Sequence, residues 1–370
     1  MNKISMPFVA RLALVIISII GLGYLIKLGQ SILAPFFLAF LLAMLFVPFS
    51  NFLEKKLRFA RTISTFVSVI IMMGILAGLI YFFGTQLASF SNDIPHLERQ
   101  FTQVFTDLQH WISKTFNVNT KEQFEYLNQA MNKLLSSSGL ILTFTLGIFS
   151  SGLGFFFFCI LFFIFILNYR RLLNQFIIKV FDDKHEGKVR EIVGEVQSMT
   201  KNYIFGLCIQ IIIVSTLTSI MLSIVGVKYA ILLGVLTGVL NVIPYIGILI
   251  SLVISCFIAF ATGAPSDCIY VIIGYIAVHA IDGNLILPFV VGSKVKINAL
   301  FSFIGILVGE HLWGISGMFL CIPAMAILKI IFERVHGLYA WGMLLGEEEK
   351  PNRRKRRYKL SKNVHFEEKD

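Results

Sequence analysis

Asn241-Val242-Ile243-Pro244-Tyr245-Ile246-Gly247 lies in the middle of a stretch, Tyr229 to Thr262, that carries no charged residue. At about 1.5 Å per helical residue such a stretch extends roughly 50 Å, against a hydrocarbon core of about 30 Å. One straight helix cannot use all of it. Pro244 withholds a backbone donor and disfavours helix at Ile243, Gly247 adds backbone freedom, and Asn241 sets an amide beside the break. The segment is expected to bend back inside the membrane, either as a re-entrant hairpin or as two short crossings joined by a plain loop. Broken backbone at that depth survives only against protein or water, and interrupted hydrophobic segments mark the substrate sites of secondary transporters.

The rest of the chain agrees with a membrane setting. Of 370 residues, 56% are hydrophobic and 14% charged, and the mean hydropathy is +0.80, far too apolar for a soluble domain. The net charge of +11 does not point to nucleic acid, because the basic residues sit in short loops and a tail beside hydrophobic runs, where membrane orientation accounts for them. Lys3 and Arg11 precede an apolar run with no small-residue cleavage site after it, so an uncleaved first span is expected. The five cysteines lie in or beside apolar segments without metal-type spacing, and are expected to be packing residues.

Working outward, the spans fall at Phe8 to Ile26, Ile32 to Phe49, Ile63 to Phe83, Leu140 to Leu167, Tyr203 to Val225, the broken segment, Ile269 to Val291, and Ala299 to Leu328. The last is again too long for one upright helix and contains Gly314, Gly317 and Pro323, so a second break is expected. Gly74/Gly78, Gly234/Gly238 and Gly305/Gly309 have the spacing that lets helices approach closely. The fold class is therefore all-α and polytopic, with about eight hydrophobic helical segments, two of them broken or re-entrant. Lys55, Lys56, Arg58 and Arg61 place their loop and, by parity, both termini in the cytoplasm.

Four regions follow: 1–83 with three spans; 84–139, a mixed polar extracytoplasmic segment; 140–334, a transport core with a cytoplasmic connector at 168–201; and 335–370, a basic cytoplasmic tail. In the second region Leu97, Phe101, Val104, Phe105, Leu108 and Ile112, and then Phe124, Leu127, Met131, Leu134 and Leu135, recur at helical spacing. Two amphipathic helices are expected there, lying on the membrane, packing on the bundle or joining subunits.

Asn241 to Gly247, with Asp282-Gly283-Asn284, Pro288, Gly292, Gly309, Gly314, Gly317, Pro323 and the Tyr203-Ile204-Phe205-Gly206 element, resembles the signature set of the autoinducer-2 exporter family of bacterial permeases. The likeness covers nearly the whole chain. Three positions depart from it: Leu207 stands where many members carry Gln, Asp282 where Glu is usual, and Asn298 where Pro often ends a turn. The resemblance implies an inner-membrane permease that exports small polar signalling molecules such as autoinducer-2, or exchanges sodium or lithium for protons. It also implies a homo-oligomer, with five subunits as one form.

Asp282, Asn284, Asn241 and Glu310 are candidates for a polar pathway where the two broken segments meet, with Pro244, Tyr245, Gly247 and Pro288 shaping the backbone around it. A charged group near mid-membrane costs several kcal/mol unless it faces a cavity, pairs or takes up a proton. Asp282, Glu310, His279 and His311 are thus candidates for proton exchange. The bland alternatives are a pair between Asp282 and Lys294 or a helix cap, an extracytoplasmic vestibule for Glu310, and simple packing for both histidines.

Enzyme chemistry finds no support in the sequence. There is no glycine-rich phosphate loop ending in Gly-Lys-Ser/Thr and no His-Glu-x-x-His zinc site, and neither cofactor nor metal is expected. A non-transporting membrane scaffold is the remaining alternative. The expected partners are a small polar solute or monovalent cation and the lipid bilayer.

Overall fold

The computed structural model describes residues 7–116, 138–244, 246–264, 266–290 and 297–347. Their order is α1 (Phe8–Leu28), α2 (Gln30–Lys56), α3 (Arg61–Phe116), α4 (Ser138–Lys179), a 3₁₀ turn (Asp183–His185), α5 (Glu186–Val225), α6 (Ala230–Leu240), α7 (Ile246–Thr262), α8 (Asp267–Ile281), a π turn (Asp282–Ile286), α9 (Leu287–Val290), α10 (Ala299–Arg334) and α11 (Tyr339–Leu345). Seven helices are long and apolar enough to cross a membrane. With the short pair α6–α7 they form the expected polytopic all-α bundle. Only an isolated bridge, Ile297 to Gly346, has strand character among the described residues.

The polar segment after residue 84 does not begin with a loop. α3 continues unbroken for 56 residues, a length of about 84 Å, so the expected first amphipathic helix is the extension of the third span. A shift from apolar to mixed composition marks an exit from hydrocarbon; it leaves the backbone's helical preference almost unchanged. The expected second amphipathic helix lies outside the described residues. α5 likewise joins the charged stretch after Glu186 to the span ending at Val225 in one 40-residue helix. At one end of the bundle, here termed the basic end, Arg170 and Arg171 pair with Glu54, and Arg334 pairs with Glu191 and Glu195.

α6 and α7 have 11 and 17 residues, about 16 and 25 Å, each too short for a hydrocarbon core of about 30 Å. They form a short helical hairpin, with its turn beginning at Asn241. Gly234 and Gly238 lay α6 directly on α5: a Cβ at Gly238 would stand 2.6 Å from the Ile211 carbonyl oxygen, and one at Gly234 2.8 Å from that of Ser215. Gly247 packs against the Leu240 carbonyl across the turn, where a side chain would overlap backbone. Gly74 and Gly78, with the same sequence spacing, face open space. Spacing alone does not distinguish a contact face from a lipid face.

A hydroxyl cluster ties this hairpin to α8. The Tyr275 hydroxyl lies 2.7 Å from Thr237 Oγ1 on α6 and 2.7 Å from Ser255 Oγ on α7, and Thr237 donates onward to the Leu233 carbonyl at 2.7 Å. All are satisfied when Ser255 donates to Tyr275 and Tyr275 to Thr237. Tyr275→Phe is expected to lower stability by about 1–3 kcal/mol by stranding these buried hydroxyls, read as a lower unfolding temperature of the purified protein.

The second break is also a hairpin. Within α10 the backbone leaves helical geometry at Trp313 (φ −135°, ψ 18°) and Gly314 (φ 59°, ψ −139°), the latter a conformation suited to glycine. The two arms fold back on each other, with Gly309 against Gly317 and Gly305 under the Met325 sulfur. The tip is held by α1: Trp313 Nε1 donates to the Ile26 carbonyl at 3.0 Å, and Lys27 Nζ lies 3.2 Å from His311 Nε2. At the other end Asn298 caps the first arm by accepting from the Leu300 N–H at 2.9 Å.

Candidate functional site

α5, α6 and α8 bring their polar residues to one level by simple helix arithmetic. Gln210 lies 15 residues before Val225, Asn241 directly follows the 11 residues of α6, and Asp282 directly follows the 15 residues of α8. Counted from the ends that meet beside Gly226 and Ser266, these depths are about 22, 16 and 22 Å. The three side chains meet there. Asp282 is only 5% exposed. Gln210 Nε2 donates to both its oxygens, at 2.9 and 3.1 Å, and Asn241 Nδ2 donates to one of them at 2.9 Å.

Asp282 turns inward because it continues the buried face of α8, at helical spacing after Val271, Tyr275 and Val278. Pro288 cannot donate to the Asn284 carbonyl and would collide with it in an ordinary α turn, and the chain relieves both by widening residues 282–286 into a π turn. Inserting an extra residue into the turn rotates the side chains that follow it. Among the described residues no lysine, arginine or histidine lies within ion-pair distance of Asp282, and Lys294 falls outside them. The carboxylate is therefore held by neutral amide donors. Hydrogen bonds to a charged group contribute about 1.5–3 kcal/mol each, which offsets part of the cost of its burial.

The other candidates lie elsewhere. Asn284 is exposed, and its Nδ2 donates to the Ala280 carbonyl of its own helix at 2.9 Å. Pro288 and His279 are exposed. Pro244 lies in the hairpin turn and Gly247 in the first turn of α7, while Tyr245 lies outside the described residues. Glu310 is exposed near the tip of the second hairpin, beside the Lys27–His311 contact, and makes no hydrogen bond or ion pair with the Asp282 cluster. The first hairpin thus brings Asn241 to Asp282 of the following helix, and Glu310 on the second hairpin lies apart. Gln210 was not among the sequence candidates; its signal is a lone amide in the otherwise apolar run of α5 from Tyr203 to Val214. No cluster of three or more metal-ligating side chains occurs among the described residues.

A multi-pass helical membrane protein with two helical hairpins, one meeting a buried carboxylate of the next helix at its turn, has the architecture of a membrane transport protein. Comparison with known proteins agrees. The model of the AI-2E family transporter matches residues 12–337, and the chain belongs to that family. It is 24% identical over 323 residues to "Putative transport protein YueF" of Bacillus subtilis, covering 83% of this chain and 85% of that one. A Haemophilus influenzae protein named "Putative transport protein" is 25% identical over 355 residues, 91% of this chain and 95% of its own. "Putative permease PerM" of Escherichia coli K12 is 24% identical over 159 residues, 43% of each chain.

Proposed function

We propose that this transporter exports small polar solutes of the autoinducer-2 type across the bacterial inner membrane, along a path that passes Gln210, Asn241 and Asp282. The supporting observation is the buried Asp282 carboxylate held at the hairpin turn by two side-chain amides. A carboxylate flanked by amides offers acceptors and donors in alternation. A polyol can exchange its hydroxyls for these internal hydrogen bonds at little net cost, which suits a site that must both bind and release. Asn241 rides on a short hairpin whose shift would open the cluster. The family's transport role and the absence of a phosphate-loop sequence favour a carrier driven by gradients rather than ATP. We propose further that both termini face the cytoplasm and that the working unit is a homo-oligomer.

A second reading, sodium or lithium exchange for protons, draws on one observation: Asp282 has no cationic partner among the described residues. With the amides turned, the Asp282 and Asn241 oxygens would face a small cation. Vesicles containing the purified protein and a pH-sensitive dye separate the two readings. Solute counterflow that is lost in Asp282→Asn, without proton movement on sodium or lithium pulses, supports export. Cation-triggered proton flux that is lost in the same variant supports exchange. Unchanged solute flux in Asp282→Asn would remove Asp282 from the path.

A further inference from the structure

A separate cavity of about 1480 Å³ opens at the basic end, between α2, α4, α5 and the second arm of α10. It is larger than the ~300–1,000 Å³ typical of sites for drug-sized ligands. Asp282 is not part of it. Its walls change character: Lys55 and Lys188 are exposed, whereas Phe37, Phe40 and Met44 are half-buried, and Lys201 lies about 20 Å along α5 from Lys188. Phe40 and Met44 lie about 16 to 23 Å along α2 from Lys55, the distance from a headgroup region into the hydrocarbon.

The charges at the mouth are uneven. No Asp or Glu lines the cavity. Of its six lysine and arginine side chains, Arg170, Arg171 and Arg334 are neutralised by Glu54, Glu191 and Glu195. Lys55, Lys188 and Lys201 make no ion pair among the described residues. Asn174 Oδ1, also on the wall, is buried without a hydrogen-bond donor among them. A small polar solute would leave the aromatic wall wet, and a neutral lipid would leave the ammonium groups of Lys55 and Lys188 unanswered.

We propose that the cavity holds one anionic diacyl glycerophospholipid. Its phosphate sits between Lys55 and Lys188, a headgroup hydroxyl donates to Asn174, and an acyl chain covers Phe37, Phe40 and Met44. The lipid packs α2 and α4 against the cytoplasmic stretch of α5, acting as a built-in part of the bundle rather than as cargo.

The test uses the full chain purified in neutral detergent and titrated with dioleoyl phosphatidylglycerol, dioleoyl phosphatidylcholine or inorganic phosphate, with unfolding temperature and native mass spectrometry as readouts. Phosphatidylglycerol is expected to raise the unfolding temperature and to be retained at one per subunit. The double variant Lys55→Gln, Lys188→Gln should weaken that binding by roughly tenfold or more. A control double at other exposed lysines, Lys56→Gln, Lys184→Gln, should change it by less than about twofold. Equal losses in the two doubles would mean general surface attraction and overturn the proposal. So would an equal response to phosphatidylcholine, or a full response to phosphate alone.

Discussion

Gln210→Leu is expected to destabilise the protein by about 2–3 kcal/mol and to cut transport at least tenfold, because the Asp282 carboxylate loses its amide on α5 while remaining buried. Asp282→Leu should also be destabilising, since it strands the amides of Gln210 and Asn241. The double variant, however, puts two apolar groups of similar bulk where two polar ones met, and replacing both partners of a buried hydrogen bond is often nearly neutral. Chemical unfolding of the four proteins should therefore give a coupling energy of about 1.5–3 kcal/mol. The double variant should regain the fold without regaining flux. Additive losses would show that the two side chains do not depend on each other, and a transporting double variant would place the path elsewhere.

Gly317→Ala is expected to prevent the second hairpin from closing. A Cβ there would overlap the Gly309 carbonyl, which is backbone and cannot rotate away, and Gly309 stands in the same relation to Gly317. The arms would have to separate along their length, lifting Gly305 from Met325 and pulling the Trp313 tip away from Ile26. The cost should exceed the roughly 0.5–3 kcal/mol of an ordinary substitution, and should appear as little folded protein or a large fall in unfolding temperature. Gly78→Ala is the matched control. Its site is open, and alanine favours a helix over glycine by about 1 kcal/mol, so its unfolding temperature should hold or rise. Similar behaviour of the two variants would mean that the arms are not packed at Gly309 and Gly317.

Much of this architecture is legible in the sequence because the membrane imposes a length. A run too long for the hydrocarbon that contains Pro244 and Gly247 must break, and one that contains Gly314 and Gly317 must do likewise; both breaks are hairpins. Asp282 is equally legible, since a carboxylate in an apolar run requires partners. Its partners are not. Asn241 was visible only because it sits beside a break, and Gln210, in a regular helix, looks like any tolerated polar residue until α6 is laid across it. Leu207 lacks the amide that the family resemblance places there, and Gln210, three residues on and on the same buried face, supplies one. The extent of α3 was hidden for a different reason: hydropathy reports where a helix leaves lipid, and nothing in it reports where the helix stops.

The shallow reach of α6 has an electrical consequence. A charge arriving at the Asp282 cluster from the Gly226 end has travelled about 16–22 Å of a hydrocarbon layer of about 30 Å, and has crossed between one half and three quarters of any transmembrane voltage. With about 2.3 kcal/mol per elementary charge for each 100 mV, that step alone exchanges about 1.2–1.7 kcal/mol with the membrane potential. An ion meeting Asp282 from that side would therefore bind more tightly or more weakly as the voltage changes, whereas an uncharged solute at the same depth would not sense it. On the proposed path, the short hairpin thus makes the cluster a voltmeter for one class of cargo and leaves it blind to the other.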